Sequence, residues 1–173
     1  MIRICLVGEI AAGKTFVAKC FGYPLFNADK EVIKIYKTNN ECFKKLNKKF
    51  PKYIKSFPIK KSEIKKLLNK KNIKGLSKIV HPYVRVGLNK FLQKNRFLKY
   101  VVIDIPLLIE NKLNKKTDII IAVKTSKNII LKRLKKRGLY NKKLLSILSS
   151  QQLSVSKKFK FEKFIIENNS HKN

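Results

Sequence analysis

The chain has 173 residues, enough for one domain with a real hydrophobic core, and it sets 42 Lys+Arg against 10 Asp+Glu for a formal charge of +32. No stretch approaches the ~18 consecutive apolar residues of a membrane span, and there is no room for the second domain of a helicase. A pI near 10.3 attracts polyanions, but only Arg3, Arg85, Arg96, Arg133 and Arg137 are arginines. Lys, Asn, Ile and Phe all have A/T-rich codons, so genome composition accounts for much of this surface without a dedicated nucleic-acid role. Where carboxylates are this scarce, those that remain are candidates for specific work.

Residues 2–15 organise the reading. The apolar run Ile2 to Val7 predicts a strand that stops at Gly8, and Gly8, Gly13, Lys14 and Thr15 fit the phosphate-loop spacing G-x-x-x-x-G-K-[ST]. Glycines allow the backbone to wrap around phosphate oxygens with its N–H groups inward. Lys14 would reach the β- and γ-phosphates and the Thr15 hydroxyl would ligate Mg²⁺. The loop stretch Gly8, Ala11, Ala12, Gly13, Lys14, Thr15 and Phe16 is the expected nucleotide-binding segment, with a helix from about Lys14 or Thr15 to Phe21. Arg3 followed by apolar residues superficially resembles a signal peptide, but Glu9 interrupts the run and Gly13-Lys14 ends it. Cys5, Cys20 and Cys42 lack metal-ligand spacing, so buried thiols in a reducing cytoplasm are expected.

Further along, Leu25 to Ala28 predicts a second strand with Asp29 at its carboxyl end, where ligands bind in open α/β sheets. Asp29 is therefore a candidate for substrate contact or catalysis, and equally for the N-cap of a helix starting at Lys30, two roles that are compatible. From Lys30 to Lys99 the Lys-rich chain carries helical apolar spacing, with Val32, Ile33 and Tyr36 on one face and Cys42, Phe43, Leu46 and Phe50 on another. Pro51 and Pro58 break the run, Ser62 offers an N-cap before Ile64, and a longer helix is expected to start at His81-Pro82. Tyr100 to Asp104 is a β-branched strand ending in a carboxylate, the pattern of an acid that approaches Mg²⁺. Ile119 to Val123 is another strand, preceded by Asp118 at the edge away from the site, a structural position. Ser126 to Arg137 reads as a cationic helix with Arg133 and Arg137 on one face; residues 141–161 read as helical, and Phe164 to Ile166 as a final strand. Alternating strands and helices predict an α/β fold, a three-layer α/β/α P-loop sandwich with a parallel five-stranded sheet and a helical insertion plus lid.

The chain shows no Asn-Lys-x-Asp base-reading motif of the GTPase kind. Its Leu6-Val7-Gly8 through Thr15, Asn27-Ala28-Asp29-Lys30, His81-Pro82 with Val84-Arg85, Asp104-Ile-Pro106-Leu107-Leu108-Ile-Glu110, Arg133/Arg137, Gln152 and Phe164-Ile-Ile-Glu-Asn168 together resemble the dephospho-coenzyme A kinases. The resemblance runs almost end to end, and Asp-x-Pro-Leu-Leu-x-Glu with the Ala-Asp after the second strand is its most discriminating part. It implies an ATP-dependent kinase, with Mg²⁺, that phosphorylates the 3′-hydroxyl of dephospho-CoA. Lys14 would hold the donor, Asp29 would orient the acceptor hydroxyl and take its proton, and Arg133 and Arg137 would neutralise phosphates from a lid over 133–150. Thr15 and Asp104 would serve the metal, although Asp104 could instead bind the acceptor. His81, Arg85, Pro106 and Leu107 would contact the acceptor with Asp29, within an acceptor-binding insertion over 30–99. The bare-residue alternatives are a solvated basic face for the arginine pair and a helix-start hydrogen bonder for His81. A related small-molecule or nucleoside kinase, or a degenerate nucleotide-binding protein with nonspecific polyanion binding, are the other functional readings. No specific nucleic-acid or membrane partner is expected, and the chain reads as a cytoplasmic monomer or weak homo-oligomer. Glu9 and Ala11 stand where the family loop usually has glycine, Leu148 replaces a usual arginine, Glu162-Lys163 an Ala-Asp and Asn169 a glycine.

Overall fold

The computed structural model describes residues 1–69, 71–106, 108–111, 113–136, 145–146 and 163–169. Leu107, Arg137, Leu148, Gln152, Glu162 and almost all of the expected 141–161 helix lie outside them. The chain divides into two units, Met1–Asn27 with Asn95–Asn173, and Ala28–Lys94.

In the first unit, β1 (Ile2–Gly8), β2 (Leu25–Asn27), β3 (Tyr100–Asp104), β4 (Ile119–Lys124) and β5 (Phe164–Glu167) form one sheet in the order β2-β3-β1-β4-β5. Every pairing is parallel, as expected for strands joined by crossovers. Both faces of the central strands are buried, which is why they read as continuous apolar runs rather than alternating ones. Ile4, Leu6, Val102, Ile121 and Val123 point to one face and pack with Ala12, Val17 and Ala18, the last two from α1 (Lys14–Cys20). Cys5, Val101, Ile103 and Ala122 are buried from the alternate positions of the same strands. The helix α6 (Lys127–Lys136) buries Leu134.

The edge of the sheet away from the strand carboxyl ends is closed by an ion pair. Arg3 Nε donates to Asp118 Oδ1 at 2.7 Å, and its Nη2 donates to Asp118 Oδ2 and, at 2.9 Å, to the Leu113 carbonyl. Asp118 also accepts from the Lys115 N–H at 2.8 Å. Burial alone would lower the Arg3 pKa; the hydrogen bond to Asp118 and its charge outweigh it, and the net shift is upward. Burial, reinforced by Asp118, pushes the neighbouring Cys5 thiol up. Asp118 is structural, as its place before β4 predicts. Cys5 and Cys42 are buried as expected, but Cys20 is exposed on the outer face of α1.

The second unit is α2 (Ala28–Thr38), α3 (Asn40–Lys49), α4 (Lys61–Leu67) and α5 (Ile73–Lys94). Asn39 caps α3, its Oδ1 accepting from the Cys42 N–H at 2.8 Å, and the helix ends before Pro51. Two expectations are corrected. The helix α4 begins at Lys61, so Ser62 lies inside it rather than capping it. Glu63 holds its start instead, accepting from the N–H groups of Lys55, Ser56 and Lys60 and from the Ser56 hydroxyl. Second, α5 starts at Ile73, not at His81-Pro82, and Pro82 lies within it. Leu76, Val80, Val84 and Leu88 recur every fourth residue on its buried side, so packing on both sides of the proline offsets the ladder bond that it cannot donate. The close approach of α2 to α5 needs Gly87, where a Cβ would lie 2.5 Å from Glu31 Oε1. Among the described residues no helix is long and apolar enough to cross a membrane.

Asp118→Ala strands the buried Arg3 charge and is expected to destabilise the chain by about 3–5 kcal/mol in urea denaturation. Replacing both partners with Met and Leu should recover most of that loss, and a double variant no better than the single one would contradict this account.

Candidate active site

The loop leaving β1 is shaped by close contacts that exclude side chains. Gly8 has φ 149° and a Cβ there would sit 2.5 Å from the Val123 carbonyl oxygen of β4. Gly13 has φ 92° and a Cβ there would sit 2.1 Å from Asn168 Nδ2. Between them, the Ala12 N–H donates to the Glu9 carbonyl at 3.2 Å, turning the chain. Ala11 stands at φ 62°, a conformation that favours glycine, and is the one non-glycine residue at positive φ among those described. Alanine thus occupies a backbone conformation that glycine adopts without strain. Lys14 is buried and folds back over the loop, its Nζ donating to the carbonyls of Glu9 at 2.8 Å and Gly8 at 3.2 Å. Phe16 is exposed.

A second group meets the loop from β3. Asp104, at the carboxyl end of β3, is 3% exposed. Its Oδ2 accepts from Thr15 Oγ1 at 2.6 Å and from Asn27 Nδ2 at 2.7 Å. The parallel register places Asn27 beside Asp104, which is how β2 delivers the amide. These bonds satisfy a carboxylate that burial would otherwise penalise.

A third group meets the loop from the other side. Arg133 of α6 donates through Nη1 to the carbonyls of Ala12 at 3.1 Å and Ala11 at 3.4 Å, and through Nη2 to that of Asn168 at 3.1 Å. In this structure the guanidinium therefore lies on the loop itself. Thr125, which follows β4, and Asn168, which follows β5, also donate to Ala12.

Gly8, Ala11, Ala12, Gly13, Lys14, Thr15, Asp104 and Arg133 thus come together in the first unit. Pro106 follows β3 there, half-buried, whereas Leu107 and Arg137 fall outside the described residues. Asp29, His81 and Arg85 belong to the second unit. Asp29 is exposed in the first turn of α2, which begins at Ala28, so the second strand ends one residue earlier than expected and Asp29 is not the N-cap. His81 is mid-helix rather than at a helix start, with Arg85 one turn on along the same face. Sequence reasoning assigned no role to Asn27, Thr125 or Asn168. Each stands at the carboxyl end of its strand, the edge where α/β sheets bind ligands, and that position was the available signal.

A parallel sheet with a glycine-bounded loop after its first strand, a lysine folded over that loop and a threonine paired to a strand-end aspartate define a phosphate-loop nucleotide-binding protein. Comparison with known proteins narrows the class. The model of the dephospho-CoA kinase family matches residues 2–173, and the chain belongs to that family. It is 33% identical over 171 residues to a dephospho-CoA kinase of Wolbachia pipientis, covering 95% of this chain and 87% of that one. Among solved structures, a protein from Thermus thermophilus superposes with a TM-score of 0.77 at 24% identity, covering 98% of this chain and 89% of the other, and shares the fold. The dephospho-CoA kinase from Campylobacter jejuni superposes with a TM-score of 0.61 at 25% identity, over the same shares of the two chains.

Ala11→Gly removes the strain of a Cβ at positive φ, about 1–2 kcal/mol, and adds about 0.4–1 kcal/mol of unfolded-chain entropy. The expected result is an unchanged or slightly raised thermal midpoint, by up to about 1 kcal/mol in stability. A clear destabilisation would show that this loop prefers alanine.

Proposed function

We propose that the chain transfers the γ-phosphoryl group of ATP to the 3′-hydroxyl of the ribose in dephospho-CoA. The observation that carries the reading is the Lys14-Thr15 loop closed onto Asp104 in a chain that matches the dephospho-CoA kinase family from residue 2 to 173. Phosphoryl transfer passes through a loose transition state, so the protein's work is positioning and charge neutralisation. Lys14, held on loop carbonyls here, exchanges them for the β- and γ-phosphate oxygens. Arg133 already lies against the loop, and its charge, with that of Arg137, meets the phosphates. Asp29 orients the acceptor hydroxyl and takes its proton. His81, Arg85, Pro106 and Leu107 contact the rest of the acceptor.

The residues present fit Mg²⁺. This ion takes hard oxygen ligands and usually keeps several waters, with one or two protein oxygens and the rest from substrate phosphates. Thr15 Oγ1 and the Asp104 carboxylate supply that set, and among the described residues there is no larger acidic, His or Cys cluster of the kind an all-protein metal cage needs. When bound, the ion would neutralise developing charge on the phosphate oxygens.

ADP release coupled to a reporter, with dephospho-CoA set against a panel of nucleosides, tests the reading. Turnover with dephospho-CoA and none with nucleosides is expected; turnover on a nucleoside alone would sink it. Lys14→Ala should lower kcat/KM by roughly 10²–10³ with folding intact. Asp29→Asn should lower kcat by roughly 10²–10⁴, and persistence of turnover would remove it as the base.

A further inference from the structure

The Ala12 carbonyl collects three side-chain donors. Thr125 Oγ1 donates to it at 2.9 Å, Asn168 Nδ2 at 2.9 Å and Arg133 Nη1 at 3.1 Å. A carbonyl oxygen has two lone pairs, so three donors over-determine its direction. None of them comes from the loop: they follow β4, lie in α6 and follow β5. The donors are also tied to one another. Asn168's own carbonyl accepts from Arg133 Nη2 at 3.1 Å and lies 3.2 Å from the Thr125 hydroxyl, whose single proton is shared between two acceptors. The Asn168 N–H extends the β4–β5 ladder to the Lys124 carbonyl, and Asn169 Oδ1 accepts from the Ser126 N–H. Ala12, Thr125 and Asn168 are all buried.

A trans peptide is planar, so a carbonyl pinned toward β4 and β5 forces the following N–H, that of Gly13, to the opposite side. Gly13 also forms the socket of this arrangement, since a Cβ there would overlap Asn168 Nδ2. We propose that Thr125 and Asn168 are positioning residues for nucleotide: they clamp the Ala12–Gly13 peptide so that the loop presents its N–H groups to phosphate before ATP arrives. The proposal rests on the phosphate-binding role of the loop, not on the identity of the acceptor. It gives β5 and its trailing Asn168 a role in donor binding, although the motif at residues 8–15 contains no sign of it.

The two residues act on donor affinity, whereas a purely architectural bond would act on folding. The test measures Mg·ATP affinity by calorimetry without acceptor, steady-state KM for each substrate, and thermal stability, for wild type, Thr125→Val, Thr125→Ser and Asn168→Ala. Losing one such hydrogen bond should weaken ATP binding roughly fivefold to tenfold in Thr125→Val. In that variant the KM for dephospho-CoA should stay within about twofold of wild type, the scatter expected when no bond is lost. Thr125→Ser, which keeps the hydroxyl, should restore ATP affinity. Asn168→Ala should lose at least as much as Thr125→Val, and if it does not fold the threonine pair decides. Wild-type ATP affinity in folded Thr125→Val, or equal losses in the Val and Ser variants, overturns the clamp. A wild-type protein that binds ATP but does not phosphorylate dephospho-CoA would refute the acceptor assignment and leave the clamp to be judged by ATP affinity alone.

Discussion

The buried carboxylate of Asp104 is the joint on which the site depends. It sits at the end of β3, receives the Thr15 hydroxyl from the start of α1, and receives the Asn27 amide from the end of β2. Two separate segments are thereby brought to one oxygen of β3, and the carboxylate tolerates burial because their donors satisfy it. The other buried carboxylate of the sheet follows from the same economy of acids. Asp118, at the opposite edge, is matched by a guanidinium and carries no open chemistry. Asp104 is held by neutral donors, which do not cancel its charge, and this supports the cation role proposed for it. In a chain with ten acids against 42 bases, one buried aspartate is thus paired with a cation and the other is not.

The excess of lysine changes little of this. Most lysines lie on exposed helix faces, where single charges contribute little to stability. Among the described residues Lys14 is the exception, being buried and held by the loop carbonyls of Gly8 and Glu9. A phosphate site built among so many cations needs geometry rather than charge to be specific. That geometry resides in backbone direction, which long-range attraction cannot supply.

The elements legible in the sequence were those governed by local rules. The strands β1, β3 and β4 read correctly because burial on both faces writes unbroken apolar runs. That the loop and Asp104 meet at the strand ends was legible because fixed spacings and strand-end positions place them there. The start of α5 was not, because Pro82 looks like a helix opener and nothing local reveals that Leu76 and Val80 continue the stripe of Val84 and Leu88 through it. The cap of α4 was missed for a related reason: Glu63 stabilises it by reaching back to the 55–60 backbone, so the capping group is inside the helix. The contacts of Thr125 and Asn168 with the loop were invisible because their partner, Ala12, lies 113 and 156 positions away.

Ala11 connects these observations. Holding a Cβ at φ 62° costs about 1–2 kcal/mol relative to an unstrained backbone. Such a conformation persists only where its surroundings over-determine it. Here the next peptide is fixed by three donors, and the Ala11 carbonyl itself lies 3.4 Å from Arg133 Nη1. With alanine in place of glycine, the unfolded loop has fewer conformations to lose. Alanine is therefore tolerated at this backbone position because the contacts that hold the loop come from β4, α6 and β5, outside the motif itself.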